Sequence, residues 1–396
     1  MAHPGDVPAL APDPAQTALE TQALLALGRL DGALGAARPR AQRLLAGQLL
    51  RAQLIAALRQ EGHQFTDPRF HAWCAGLVTL SDAPLRDLRA PRAVCEAILT
   101  ELAHSSWAPL AALAARFSAA LLAPQDHEGS TPDAETGHAA AHSLVTAARD
   151  LIAALEPSPL PLPALAQLHR ALGGHIRFAP PERAPVPISL GALRLTVERA
   201  ALPSPRWALE MLWGEHWRAA GLVAHALPFP GLIRLDALRP DAEPGETHII
   251  VATTLRAVAQ NLFNQLGEAE QRARRIEELQ PGRRRTSRAP ALLELLAGFG
   301  PLRSAQIETL LGATRLGVRA MLAALDDIGV LERTTLAGVR LYAVDLGARP
   351  PPDVIAPAAG FAFSSAALGE YDAAMAGIEA LLARSGGSSG ESEDDD

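Results

Sequence analysis

The chain has 396 residues, a net charge of −7, two cysteines and 48% hydrophobic residues, enough for two or three domains with buried cores. All 36 basic residues are arginine, so a P-loop lysine, a Schiff-base lysine and a kinase lysine are excluded. Two cysteines also exclude a four-thiolate zinc site and a disulfide framework.

Alanine and leucine dominate and aromatic residues make up only 4%, a composition that favours helix over sheet. The opening MAHPGDVPALAPDP has no basic n-region or clean apolar run, so it does not read as a signal peptide and a cytoplasmic setting is expected. Residues 1–17 read as a disordered arm broken by Pro14. Residues 18–123 read as a helical domain: Leu24, Leu25, Leu27 and Leu30, then Leu44, Leu45, Leu49, Leu50 and Leu54, recur at helical spacing. Its arginines, Arg38, Arg40, Arg43, Arg51 and Arg59, read as a solvated helix face. The most apolar stretch, Ala108 to Ala123, is interrupted by Arg116 and is too short to span a bilayer, so no membrane is expected.

Residues 124–140 read as a polar linker and 141–267 as a mainly helical middle domain. In the latter, helices are expected near His142–Leu155, Trp207–Ala219 and Thr254–Leu266, with Ile188–Val197 as a short strand pair. A basic helix or hinge, 268–288, follows.

Residues 289–346 are the most legible unit. Ser287 and Pro290 mark the start of a first helix with Leu292, Leu293, Leu295 and Leu296 on its apolar side. Ser304 is placed to cap a second helix ending at Gly312, and Thr314 a third. In the third, Val318, Met321, Leu322, Leu325 and Ile328 step by three and four, leaving Arg315 and Arg319 outside, and Gly329 ends it. Strands at Val330–Thr334 and Val339–Val344 complete the layout of a winged helix-turn-helix. A Pro-rich linker (347–365), a C-terminal helix (366–384) and a disordered, solubilising acidic tail (385–396) close the chain. The fold is thus expected to be mainly α: a multidomain helical protein with a C-terminal winged helix-turn-helix.

A third helix of this kind fits the major groove and presents its first turns to base edges. The candidate DNA contacts are Thr314, Arg315 and Arg319 on that helix, Arg333, Thr334 and Arg340 on the hairpin, and Arg283, Arg284, Arg285 and Arg288 ahead of it. Residues 272–345 hold 12 arginines against 8 acids, a local surplus in an acidic chain. DNA and a second copy of the chain are the expected partners, since one winged helix covers one half-site.

No catalytic motif, metal or cofactor is expected. His63, His71 and Cys74 sit among Phe65, Phe70 and Trp73, which reads as a buried thiol and satisfied histidines. His138 and His142 are four apart but lack the metalloprotease glutamate. Two competing readings are a protein-interaction scaffold, such as a condensin-type accessory subunit, and an enzyme or ligand site in the middle domain around His216, His225 and Asp236.

The segment from Leu310 to Val344 resembles the winged helix that ends many Fic-family proteins, through Leu311-Gly312, Thr314-Arg315, Leu325, Gly329-Val330-Leu331 and Arg340-Leu341-Tyr342. Asp87–Pro91 and the Arg283–Arg288 run resemble an uncharacterised alphaproteobacterial helix-turn-helix family often carried on plasmids. The resemblance implies a helical amino-terminal domain, a middle domain of unknown function and a DNA-binding winged helix, in transcription regulation or replicon maintenance. The Fic catalytic motif has no counterpart: the nearest stretch, His225 to Gly231, lacks its Asn and Arg, so nucleotide transfer is not implied.

Overall fold

The computed structural model describes residues 14–81, 89–124, 133–179, 185–190, 193–198, 204–238, 244–279 and 288–347. The chain divides into two compact units, Met1–Ala348 and Arg349–Asp396, and all described residues belong to the first. The C-terminal helix, the acidic tail and the arginine run 283–285 lie outside the described residues.

The described chain is mainly helical, with five short strands. The elements are α1 (Pro14–Ala36), α2 (Pro39–Gln60), α3 (Asp67–Cys74), α4 (Pro91–Leu102), α5 (Ala108–Ala120), α6 (Asp133–Ala153), α7 (Pro161–Gly173), β1 (Pro185–Leu190) and β2 (Leu193–Glu198). Then come α8 (Trp207–Ala219), α9 (Pro244–Leu279), α10 (Ala289–Phe299), β3 (Leu302–Arg303), α11 (Ser304–Leu311), α12 (Arg315–Asp327), β4 (Leu331–Leu336) and β5 (Val339–Val344). Proline opens many of these helices: α2, α3, α4, α5, α7 and α10 each carry one in the first turn. There the missing N–H has no intrahelical acceptor to lose and the fixed φ is already helical. Pro14 behaves the same way, starting α1 where a break in a loose arm was expected.

Other elements also differ from expectation. The helix near His142 begins at Asp133, and α9 runs 36 residues through the anticipated boundary at 267. Gly267 alone does not stop it: Leu262, Leu266, Ala269, Ala273 and Ile276 keep one buried stripe across the glycine. Ser304 does not cap α11 but is its first residue; Arg303 holds the cap position, its N–H donating to Gln306 Oε1 at 3.1 Å.

One hydrophobic core runs from Ala23 on α1 to Val330 before β4, so α10, α11 and α12 pack into the same interior as the amino-terminal helices. The joint lies where α2 crosses α10. A Cβ built on Gly47 would lie 2.8 Å from the Gly298 carbonyl carbon and 2.9 Å from the Phe299 nitrogen, so the two backbones touch where neither has a side chain. Around it Phe299 packs on Phe117 at 4.2 Å and on His71 at 5.7 Å. Arg51 donates to the Phe299 carbonyl at 3.1 Å. Buried Gln306 donates to the Cys74 and Ala120 carbonyls, clamping α11 to the ends of α3 and α5.

The arginine face of α2 is largely engaged rather than simply solvated. Arg38 reaches Glu270 and Glu277, while Arg40 and Arg43 each take one oxygen of Glu294, at 2.6 and 2.8 Å. Arg59 pairs with Asp67. At the C-terminal end of α2, fully buried Glu61 in the cap position accepts from Arg89 and from Trp207 Nε1, and Gln60 donates to buried Glu210 at 2.8 Å. Burial pushes the Glu210 carboxyl up, against hydrogen bonds from the Gly231 and Ile233 backbone.

Two outcomes follow. Gly47→Ala destabilises the chain by about 1–2 kcal/mol despite the helix preference for alanine, because backbone must move. Gly28→Ala on α1, where nothing lies within 4 Å, raises stability by up to about 1 kcal/mol. Urea unfolding of both variants checks the pair. Burial and the neighbouring Arg51 charge push the His71 imidazole from 6.5 down to about 4. The unfolded chain therefore takes this proton first as pH falls. The contribution is complete above about pH 6.5 and is lost toward pH 4, up to about 3 kcal/mol. His71→Asn removes that part of the pH slope in denaturation between pH 7 and 4.5; an unchanged slope contradicts the assignment.

Candidate nucleic-acid interface

The candidate residues are carried by α12 and by the β4–β5 hairpin. Thr314 caps α12, its Oγ1 accepting from Gly317 N at 3.2 Å, and Gly312 supplies the left-handed turn before it, φ +55°. Val318, Met321, Leu322 and Leu325 are buried against α10, α11 and β4. That leaves Arg315, Leu316, Arg319 and Ala320 exposed at the amino-terminal half of the helix, with Leu316 76% exposed. Residues four apart lie on one face about 6 Å apart along the axis, so Arg315 and Arg319 form a short basic ridge.

β3, β5 and β4 form a three-stranded sheet in that order, all antiparallel. Leu336 pairs with Val339, so the hairpin turns on Ala337 and Gly338 alone, both at positive φ (48° and 74°). Such a turn matches the twist of the strands and is favoured in two-residue hairpins. Arg333 is opposite Tyr342 and Thr335 opposite Arg340, which puts Arg333 and Arg340 on one face. Thr334 is opposite Leu341 and occupies the other face. Leu341 is buried against Ala72 and Ala75, while Tyr342 and Val344, on the arginine face, pack on the main core, so both faces meet the body at the base of the hairpin. Period-two alternation along the strand was already sufficient to separate Thr334 from the arginines.

The candidate arginines are not equivalent. Arg333 is held by Asp326 at 2.7 Å, and this hydrogen bond raises its pKa. Arg288 donates from Nη1 to the Leu311 and Gly312 carbonyls at 3.0 and 3.1 Å, closing the end of α11. Among the described residues, Arg315, Arg319 and Arg340 have no ion-pair or side-chain hydrogen-bond partner. Residues 288–347 carry six arginines and six acids, so the surplus read from the sequence belongs to α9 and to 283–285. On α9, Arg272 and Arg275 are already paired with Glu268 and Glu278.

The competing middle-domain residues sit in separate settings. His225 Nδ1 is 3.1 Å from Asp31, Asp236 is bridged by Arg234 at 2.9 Å, and His216 lies tilted against Trp213, ring centroids 4.7 Å apart, with its pKa lowered by burial. His63 is bound to the Arg89 carbonyl, and burial raises the Cys74 thiol well above its ordinary range. Among the described residues no three His, Cys, Asp or Glu side chains come together as a metal site, and no helix is long and apolar enough to cross a membrane. No family model matches the chain, and no curated protein matches it.

Proposed function

We propose that residues 289–346 are a winged helix-turn-helix that binds DNA, with α12 as the reading helix and β4–β5 as the wing. The observation that carries this reading is the exposed Arg315–Leu316–Arg319 face at the amino end of α12, free of internal partners among the described residues. The order of helix, short strand, two helices and hairpin supports it, as does β3 closing the sheet beside β5.

In this reading the guanidinium forks of Arg315 and Arg319 meet guanine edges or phosphates, and Leu316 meets a thymine methyl. Arg340, near the hairpin tip, meets the backbone. Arg333 and Arg288 hold the module's own geometry through Asp326 and the α11 carbonyls. The chain acts as a homodimer on paired half-sites, in transcription regulation or replicon maintenance, in the cytoplasm.

A second reading has two observations in its favour. Residues 288–347 are charge-balanced, and the exposed α12 face carries a leucine, Leu316, between its two arginines. That surface also suits a protein partner, with the chain as a scaffold.

Changing Arg315 and Arg319 together to alanine lowers affinity for mixed genomic DNA fragments about tenfold or more and lessens the salt slope by roughly two. Far-UV circular dichroism stays unchanged, because both side chains are exposed. Unchanged DNA affinity removes α12 as the reader. No DNA retention by the wild type, with a larger chain co-purifying, favours the scaffold.

A further inference from the structure

A cavity of about 520 Å³ opens between α2, α5, α10 and α11, within the usual size of small-molecule pockets. Its buried floor is Gly47, Gly298 and Leu310, and half-buried Leu113 and Leu295 line its sides. The two glycines that let α2 and α10 touch also leave their part of this floor without side-chain atoms. The side-chain charges of the lining are Arg43, Arg116, Arg288 and Glu294, and the three arginines are exposed.

The charges do not cancel. Glu294 is shared by Arg40 and Arg43. Arg288 uses Nη1 on the Leu311 and Gly312 carbonyls, which leaves Nε and Nη2 without a partner among the described residues. Arg116 has no ion pair or side-chain hydrogen bond among the described residues. An apolar well with two available guanidinium forks at its exposed side has a definite complement: an apolar body ending in one anionic group. A guanidinium fork matches a carboxylate in a bidentate way. The floor and sides offer no polar side chain to a nucleobase or sugar, so a nucleotide is poorly matched.

We propose that this cavity binds a small amphipathic carboxylate, its alkyl or aryl body in the well and its carboxylate held by Arg116 and Arg288. Arg288 also holds the turn that leads into α12, so such a ligand acts on the mounting of that helix. This last consequence rests on the winged-helix reading; the binding site does not.

Calorimetric titration of the full chain with decanoate, and with decanol as the uncharged control, tests the site. Decanoate binds a single site, and decanol binds at least about tenfold more weakly for want of the charge-assisted bonds. Arg116→Ala, at an exposed position with no partner among the described residues, weakens decanoate by about tenfold, and Arg116→Ala/Arg288→Ala by more. Ala112→Trp, on the exposed side of the cavity, abolishes binding with the circular dichroism unchanged. No heat with decanoate at millimolar concentration overturns the proposal, as does equal binding of decanol or full binding by the Arg116→Ala/Arg288→Ala or Ala112→Trp variants. A chain that binds decanoate but no DNA keeps this site and loses the winged-helix function; the reverse result loses only the site.

Discussion

The contact between Gly47 and Gly298 sets the arrangement of much else in this chain. Two helices approach this closely only where both lack a β-carbon, and here the closest atoms are backbone. That approach brings the end of α10 to Arg51, Phe117 and His71, and the next turn brings Gln306 to the carbonyls that end α3 and α5. The segment from α10 to β5 is therefore fixed on the helical body through a shared core. The amino-terminal half of α12 points away from that core, and this geometry is what makes it available to a large partner.

Polar groups inside the body reinforce the same arrangement. Glu61 and Glu210 are fully buried, yet each has several donors, so α2 and α8 hold one register rather than sliding. Removing one partner from such a set leaves an uncompensated buried charge, which costs more than the intact pair contributes. The surface pairs from α2 to Glu270, Glu277 and Glu294 add less energy each, but they join α2, α9 and α10 where those helices meet.

Local pattern was enough for the elements whose identity rests on local pattern. The 318, 321, 322, 325 stripe, the Thr314 cap and the Gly329 stop define α12 before any tertiary contact, and α8 spans Trp207–Ala219 as its hydrophobic spacing predicts. The exposure of Arg315 and Arg319 follows from the same spacing. Partners distant in sequence were not legible. Nothing near Arg40 or Arg43 announces Glu294, some 250 residues away, and nothing near Gln306 announces the Cys74 carbonyl. Pro14 and Gly267 misled for a related reason: each residue disfavours helix interiors on average, but one lies in a first turn and the other on a helix held by its buried stripe. The Asp326–Arg333 bridge spans a helix end and a strand start, a distance that neither helical nor strand periodicity reports.

The most direct measurement places a photo-crosslinking benzophenone side chain at position 316, on the exposed face of α12, and irradiates cells producing the chain. The account predicts crosslinks to DNA, enriched at discrete sites and lost when Arg315 and Arg319 are also changed to alanine. Crosslinks to a protein chain alone, with no DNA recovered, contradict it.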